Sequence, residues 1–503
     1  MEKKNNKKVN KIIIAISAII IFAILATAVF FIATYIEKEK NDLANKNNNV
    51  QEMAKDKNDE GYEKVKEEVS NEKIVDDDKQ VLDRSFGKVE IIWIDKNNNT
   101  ITEPLKPVIG NMNPIKYNST ASNFELTNEN DIAWYNYDNK IWANAMDENQ
   151  SFFVWIPRFA YKITYYSDVN YRNVIGYSDD RGILKVAEDG SLIRIAKNNQ
   201  GLKTVGNHYI LHPAFMNDTA NGFINGGWDD NLDGIWVSKY EVSMEVNGVH
   251  TDTQSEQIGN VVVSDIVKAV SKPGVSSWRN ISIGNCYFNA FNYNRNKDSH
   301  LLKESEWGAV AYLSYSKYGT DSKLISPNAS QEFITGDSKN PIESFGYKGE
   351  ESSNGNSTGV YDLSGGAWEY VSAYINNGYY RAPMYGGTGQ GFLLENSLNT
   401  KYKTIYANSD NDKGTMQYNS NDGNVNYLLN YLKRGDAIYE TSINGYGNSA
   451  WNANASLFPQ QDVPFMLRGG DITSGKSAGL FSFNCSTGQA NASDTYRIVL
   501  AWK

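Results

Sequence analysis

The chain has 503 residues, too many for one small core, so its length allows two or three folded units. With 21% charged residues and a net charge of −10 it carries no basic footprint, which excludes nucleic-acid binding as its main work. Lys outnumbers Arg, Asn is frequent, and 32 Tyr and 11 Trp are present. An AT-rich coding sequence produces this bias unaided, although Tyr, Ser, Gly and Asn are also the side chains of adaptable recognition surfaces.

Ile12 to Ile36 is an uncharged apolar run. At 1.5 Å per residue it would span about 37 Å against a ~30 Å hydrocarbon core. Lys3, Lys4, Lys7, Lys8 and Lys11 precede it, so the positive-inside rule predicts a transmembrane anchor over 1–36 with the N-terminus cytoplasmic and the bulk of the chain outside. Ala26-Thr27-Ala28 resembles a cleavage site, but the apolar run continues through Phe30, Phe31 and Ile32, which favours an uncleaved anchor. Residues 37–85 are charged and poor in large apolar side chains, and read as a stalk or linker.

From Phe86 the texture becomes β-prone, and a β-rich domain is expected over 86–200. "KVEIIWIDKNNNTITEPLKPVI" reads as a strand, an Asn-rich turn and a second extended piece. "SFFVWIPRFAYKITYY" is broken only by Pro157, which predicts an edge or a bulge. "GILKVAEDGSLIRIA" reads as a hairpin turning at Asp189-Gly190. A second domain is expected over 201–503. It opens with an aromatic strand from Ile235 to Met244. Ile283, Cys286, Tyr287, Ala290 and Phe291 are spaced for one face of a helix. Trp307, Val310, Ala311 and Ser314 mark another, with Gly319 as its stop. "VNYLLNYLKRG" is a third helical candidate, and "GLFSF" and "TYRIVLAW" are closing strands. Helices followed by short strands in long loops predict an α+β fold.

Few residues carry recognisable chemistry. Cys286 and Cys485 form no Cys-x-x-Cys motif and read as two separate thiols. His208 and His212 have i, i+4 spacing, but in a strand they would lie ~13 Å apart, and Pro213 argues against a helix. Asp229, Asp230 and Asp233 fit a solvated turn better than a twelve-residue calcium loop.

Four stretches carry a resemblance in register. "GIWVSKYEVSM" (234–244), "SHLLKESEWGAVAYL" (299–313), "GVYDLSGGAWEYV" (359–371) and "LRGGDITSG" (467–475) precede a closing "YRIVLAW". Together they resemble the formylglycine-generating-enzyme (sulfatase-modifying factor) family, a branch of the C-type-lectin-like fold, over roughly the final 300 residues. The chain is also similar to a set of Firmicutes surface proteins of this fold, and to the variable receptor proteins of diversity-generating retroelements. The resemblance implies a C-type-lectin-like domain over 201–503. In the family's oxidases two cysteines after the Arg-Gly-Gly element hold copper, but no Cys follows Gly470 before Cys485, so that chemistry is expected to be absent. The family often carries calcium on the glutamate that aligns with Glu369. Gly366 stands where its Asn ligand would be, so Glu369 reads first as a structural carboxylate and second as a calcium ligand.

The remaining candidate is a surface of C-terminal loops, Asp471 to Ser477 and Asn484 to Asp494. Its expected ligand-binding residues are Asp471, Thr473, Ser474, Lys476, Ser477, Asn484, Ser486, Gln489 and Asn491, with Tyr379, Tyr380 and Tyr385 as further aromatic anchors. The reading is a membrane-anchored adhesin or receptor for an extracellular glycan or protein. The alternatives are a metal-dependent oxidase with a rearranged centre and a structural surface or pilus-tip component.

Overall fold

A computed structural model describes residues 87–121, 123–165, 183–186, 192–195, 204–206, 209–217, 226–336, 349–377, 400–409, 424–430, 433–442 and 445–502. All belong to one compact unit, Asp78–Lys503. The anchor Ile12–Ile36, the stalk 37–85, the Asp189-Gly190 turn, His208 and the three tyrosines Tyr379, Tyr380 and Tyr385 lie outside the described residues. Among the described residues no helix is long and apolar enough to cross a membrane.

β1 (Gly87–Ile94) buries Val89, Ile91 and Trp93 in alternation. It turns at Asp95, whose Oδ1 accepts the Asn97 and Asn99 N–H groups at 2.9 and 2.8 Å, into β2 (Thr100–Ile101). β3 (Asn113–Asn118), β4 (Asn123–Leu126) and β5 (Asn144–Met146) follow. The apolar run containing Pro157 then forms two strands, β6 (Phe152–Pro157) and β7 (Phe159–Tyr165), in two different sheets. Between them the buried Arg158 guanidinium donates to the Asp95 and Phe215 carbonyls at 3.1 and 2.6 Å. Pro157 marks no edge: β6 lies between β5 and β12, and the proline is its last residue, where one lost N–H can be tolerated. The hairpin β8 (Ile183–Val186) and β9 (Leu192–Ile195) pairs as expected, and β10 (Thr204–Val205) and β11 (Tyr209–Leu211) end this run.

β12 (Gly234–Ser238), β13 (Ser243–Val246), β14 (Val249–His250), the short α1 (Glu256–Gly259) and β15 (Val267–Val270) come next. α2 (Ile283–Phe291) buries Ile283, Cys286, Tyr287 and Ala290 of the stripe expected of it, while Phe291 is half-buried. After β16 (His300–Leu301), α3 (Glu304–Tyr315) ends before Gly319 and is buried on every side. β17 (Trp368–Ile375), β18 (Thr404–Tyr406), α4 (Val425–Leu429), β19 (Phe465–Gly469), β20 (Gly479–Ser486), β21 (Asp494–Tyr496) and β22 (Ile498–Leu500) complete a β-rich α+β arrangement.

One seven-stranded sheet follows the path β10-β11-β7-β1-β2, with β9 and β8 added beside β7, and another runs β16-β22-β12-β6-β5-β3-β4. A three-stranded sheet, β14-β13-β15, and a five-stranded sheet, β18-β17-β19-β20 with β21 beside β17, complete the set. The domain boundary expected at residue 200 does not separate two cores. β6 pairs with β12 from Phe153↔Ser238 to Pro157↔Gly234, and one apolar cluster runs from Val89 through Trp155, Trp236 and Trp307 to Ala501. Strands β3–β6 and strands β12, β16 and β22 share one sheet, so the two segments bury apolar faces in a common core.

Candidate functional site

The corner before β17 is built for close approach. Gly365 and Gly366 have φ of +73° and +72°, and a Cβ on Gly366 would sit 2.5 Å from Glu241 Oε1. Glu241, from the turn after β12, fills that space and accepts the Ala367 N–H at 2.8 Å. Glu369 is fully buried, and Arg497 grips it from the far end of the chain: Nε donates to Oε2 at 2.9 Å and Nη2 to Oε1 at 2.6 Å. The remaining guanidinium donors reach the carbonyls of Ser238 and Tyr361 at 2.8 and 2.9 Å. Asp362 accepts Asn328 Nδ2 and the Gly336 N–H, both at 2.9 Å.

These charges have different fates. Burial pushes the Glu241 carboxyl well above its ordinary range, and the Asp362 and Glu369 charges push it further. Burial alone would lower Arg497, but Glu369 and Asp362 more than offset it and hold the guanidinium charged. Burial likewise raises the Glu369 carboxyl above its ordinary value; the Arg497 charge and hydrogen bonds oppose that rise, and the bidentate contact ties the two side chains together. Calcium does not fit here. Both Glu369 oxygens are occupied by a cation that the chain itself supplies, and the Glu241 carboxyl group fills the space beside Gly366. The calcium expectation gives way to the structural one, and among the described residues no group of three His, Cys, Asp or Glu side chains could hold a metal ion.

The two expected loops root on opposite sides of this corner. Ile472 N–H bonds the Gly366 carbonyl at 3.0 Å, and Trp368 N–H bonds the Ser493 carbonyl at 2.7 Å. Asp471 shapes the first loop from within: its Oδ1 accepts Thr473 N–H, Thr473 Oγ1 and Ser474 Oγ at 2.8–2.9 Å. It is buried, and its Oδ1 is spent on positioning the loop from within. Ser477 Oγ is turned back onto the Ser474 carbonyl at 2.7 Å. Thr473 and Lys476 are exposed, and so are Gln489 and Asn491. Asn491 Oδ1 is held by the Ser493 N–H and hydroxyl at 3.0 and 3.1 Å.

The other expected residues are drawn away from this patch. Asn484 and Ser486 pair with Leu467 and Phe465 toward the distal end of β20, about 16 and 23 Å from its start at 3.3 Å per residue. Asn484 Oδ1 accepts the Cys485 N–H at 2.8 Å, while Ser486 Oγ bonds Tyr370 OH at 2.9 Å. Tyr370 OH also donates to the Gln489 carbonyl at 2.8 Å, which pins the second loop from below. Beneath both loops the Asp494 carboxyl is pushed up to about 7, by burial first, with the Tyr370 hydroxyl opposing and the Asp471 charge adding.

Other candidates resolve as packing. His212 is buried among Phe159, Tyr161, Phe215 and Tyr312, and its Nδ1 accepts the Ala214 N–H at 3.3 Å. Asp229 and Asp233 form ion pairs with Lys401 and Lys96 at 3.0 and 2.9 Å. Cys286 is buried, Cys485 is half-buried, and neither is bonded to the other.

Reading the sequence missed Glu241, Arg497 and Arg279. Arg279 donates to the Ala492 carbonyl at 2.7 Å and lies 4.0 Å over the Phe333 ring, so it braces the second loop. The available signal was Gly366: a missing side chain beside a buried carboxylate leaves room for another group. No protein-family profile matches the chain, and no curated protein matches it.

Proposed function

We propose that this chain is an extracytoplasmic recognition protein, an adhesin or receptor held to the membrane by Ile12–Ile36, that binds a glycan or protein ligand through its C-terminal loops. The fold we assign to residues 201–503 is C-type-lectin-like, on the four motifs in register. One observation carries the reading: Thr473 and Lys476 on one loop and Asn491 on the other are exposed, and both loops are rooted on a single buried corner through Gly366 and Trp368. Polar side chains on loops with fixed ends are the usual material of recognition surfaces. The absence of any Cys between Gly470 and Cys485 leaves this surface without the thiol pair that the resembling oxidases use.

The test is capture of the full-length chain on glycan and host-protein arrays, beside a Thr473→Ala/Lys476→Ala/Asn491→Ala variant. The reading predicts that specific capture falls by about tenfold or more in the variant. Undiminished capture by a variant of unchanged melting temperature would refute the assignment of these loops.

A further inference from the structure

A second surface lies away from the C-terminal loops. β15 is the outer strand of its three-stranded sheet, and a cavity of about 350 Å³ opens between it and α2. Its walls include Asn149, Ser264, Lys268, Phe288 and Asn292. A neighbouring cavity of about 380 Å³ shares Asn149 and Lys268, so the two open on either side of these side chains. Volumes of this size sit at the lower end of ligand-binding pockets and suit a monosaccharide or disaccharide.

The walls are fixed. Tyr293 OH donates to the buried Asp147 carboxylate, which also accepts the Asn149 and Ser151 N–H groups, each at 2.9 Å. Asn289 Oδ1 accepts the Val263 N–H at 2.8 Å and ties the opposite wall to α2. Phe288 is half-buried and offers a ring to the α2 side of the cavity. Asn292 spends its Nδ2 on the Phe288 carbonyl at 2.9 Å, which leaves its amide oxygen as an acceptor.

The charge is lopsided. On the α2 side Lys268 is the only charged residue of the wall among the described residues. Its cross-strand neighbour Glu245 is already taken by Lys272 at 2.6 Å, while Lys268 is exposed and makes no ion pair among the described residues. On the other side the Glu245–Lys272 pair is joined by two further acids, Glu148, held by Lys297 at 3.4 Å, and Asp265, so that wall is net acidic. An acid group would therefore settle on the α2 side. A β-strand peptide fits poorly, because the free edge of β15 is closed at one end by Phe152 N–H on the Ser271 carbonyl at 2.9 Å. At the other end the Val267 carbonyl takes the Ser264 N–H at 2.9 Å.

We infer that this cavity is a binding site for a carboxylated saccharide, with Lys268 on its carboxylate, Phe288 against the sugar ring, and Asn149, Ser264 and Asn292 at its hydroxyls. The site is independent of the C-terminal loops, and its test does not depend on them. Binding of glucuronic acid and of glucose to the full-length chain is measured by ligand-observed NMR, for the wild type, for Lys268→Gln and for Thr473→Ala/Lys476→Ala. Glucuronate should bind the wild type and the loop variant alike, with affinity about tenfold lower in Lys268→Gln and for glucose. Lys268 is exposed, so its replacement leaves the fold intact. Glucuronate that does not bind, binds Lys268→Gln equally, or binds no better than glucose overturns the assignment, as does loss of binding in the loop variant alone.

Discussion

Arg497 and Arg468 are both fully buried and both face a buried glutamate, yet the two pairs differ in kind. Arg497 holds Glu369 through two hydrogen bonds and spends its other donors on backbone carbonyls. Arg468 stands 3.5 Å from Glu304, and although its Nη2 reaches the Ala437 and Leu480 carbonyls, its Nε and Nη1 and both Glu304 oxygens make no hydrogen bond. Burial pushes the Glu304 carboxyl up to about 8 despite the nearby guanidinium. A buried pair is an ionic clamp only when its geometry is satisfied. Otherwise desolvation wins and the acid keeps its proton.

The sharpest break of this comparison is Arg497→Met. It strands Glu369 and Asp362 without a counter-charge and should cost about 3–5 kcal/mol, read as a lower denaturant midpoint. An unchanged midpoint would remove the clamp from the account. The loose pair predicts a pH effect instead. The folded Glu304 keeps its proton to about pH 8, whereas an unfolded glutamate releases it near 4.5. The native state therefore binds the extra proton, and the resulting stability is complete below about pH 4.5 and drains away as pH rises to 8. Glu304→Gln, neutral throughout, should gain on the wild type by about 4 kcal/mol between pH 5 and pH 9 in urea melts. Parallel profiles would mean that Glu304 is ionised in the folded state.

Smaller effects belong to the loops. Asp471→Ala removes an acceptor from three donors and should cost about 1–2 kcal/mol while weakening capture, because the loop it organises loosens. Lys476→Ala should leave the melting curve within about 0.5 kcal/mol of wild type and still lower capture. Equal effects of the two on capture and on stability would erase the distinction between a positioning residue and a contact residue.

Much of the local structure was legible in the sequence. The Asn-rich turn after β1 and the α2 stripe follow from period and turn chemistry, which are properties of neighbours along the chain. α3 was only half legible. Its apolar face is right, but Glu304 and Glu306 look like solvent residues and are buried because Arg468 and His300 reach them from elsewhere. The same limit hid the β6–β12 pairing, which joins residues some eighty positions apart, and the Arg497 partner of Glu369. Asp471 shows the limit at the site: its composition suits a binding loop, but only the fold turns its carboxylate inward.

On the proposed function this scaffold holds partners and does not oxidise them. The direct measurement incubates the full-length chain, in aerated buffer with copper, with immobilised mucin and with a cysteine-bearing peptide, reading retention and free thiol together. Retention on mucin with the peptide thiol no faster lost than in a protein-free control is the predicted result. Enzyme-dependent thiol loss with no retention would contradict it.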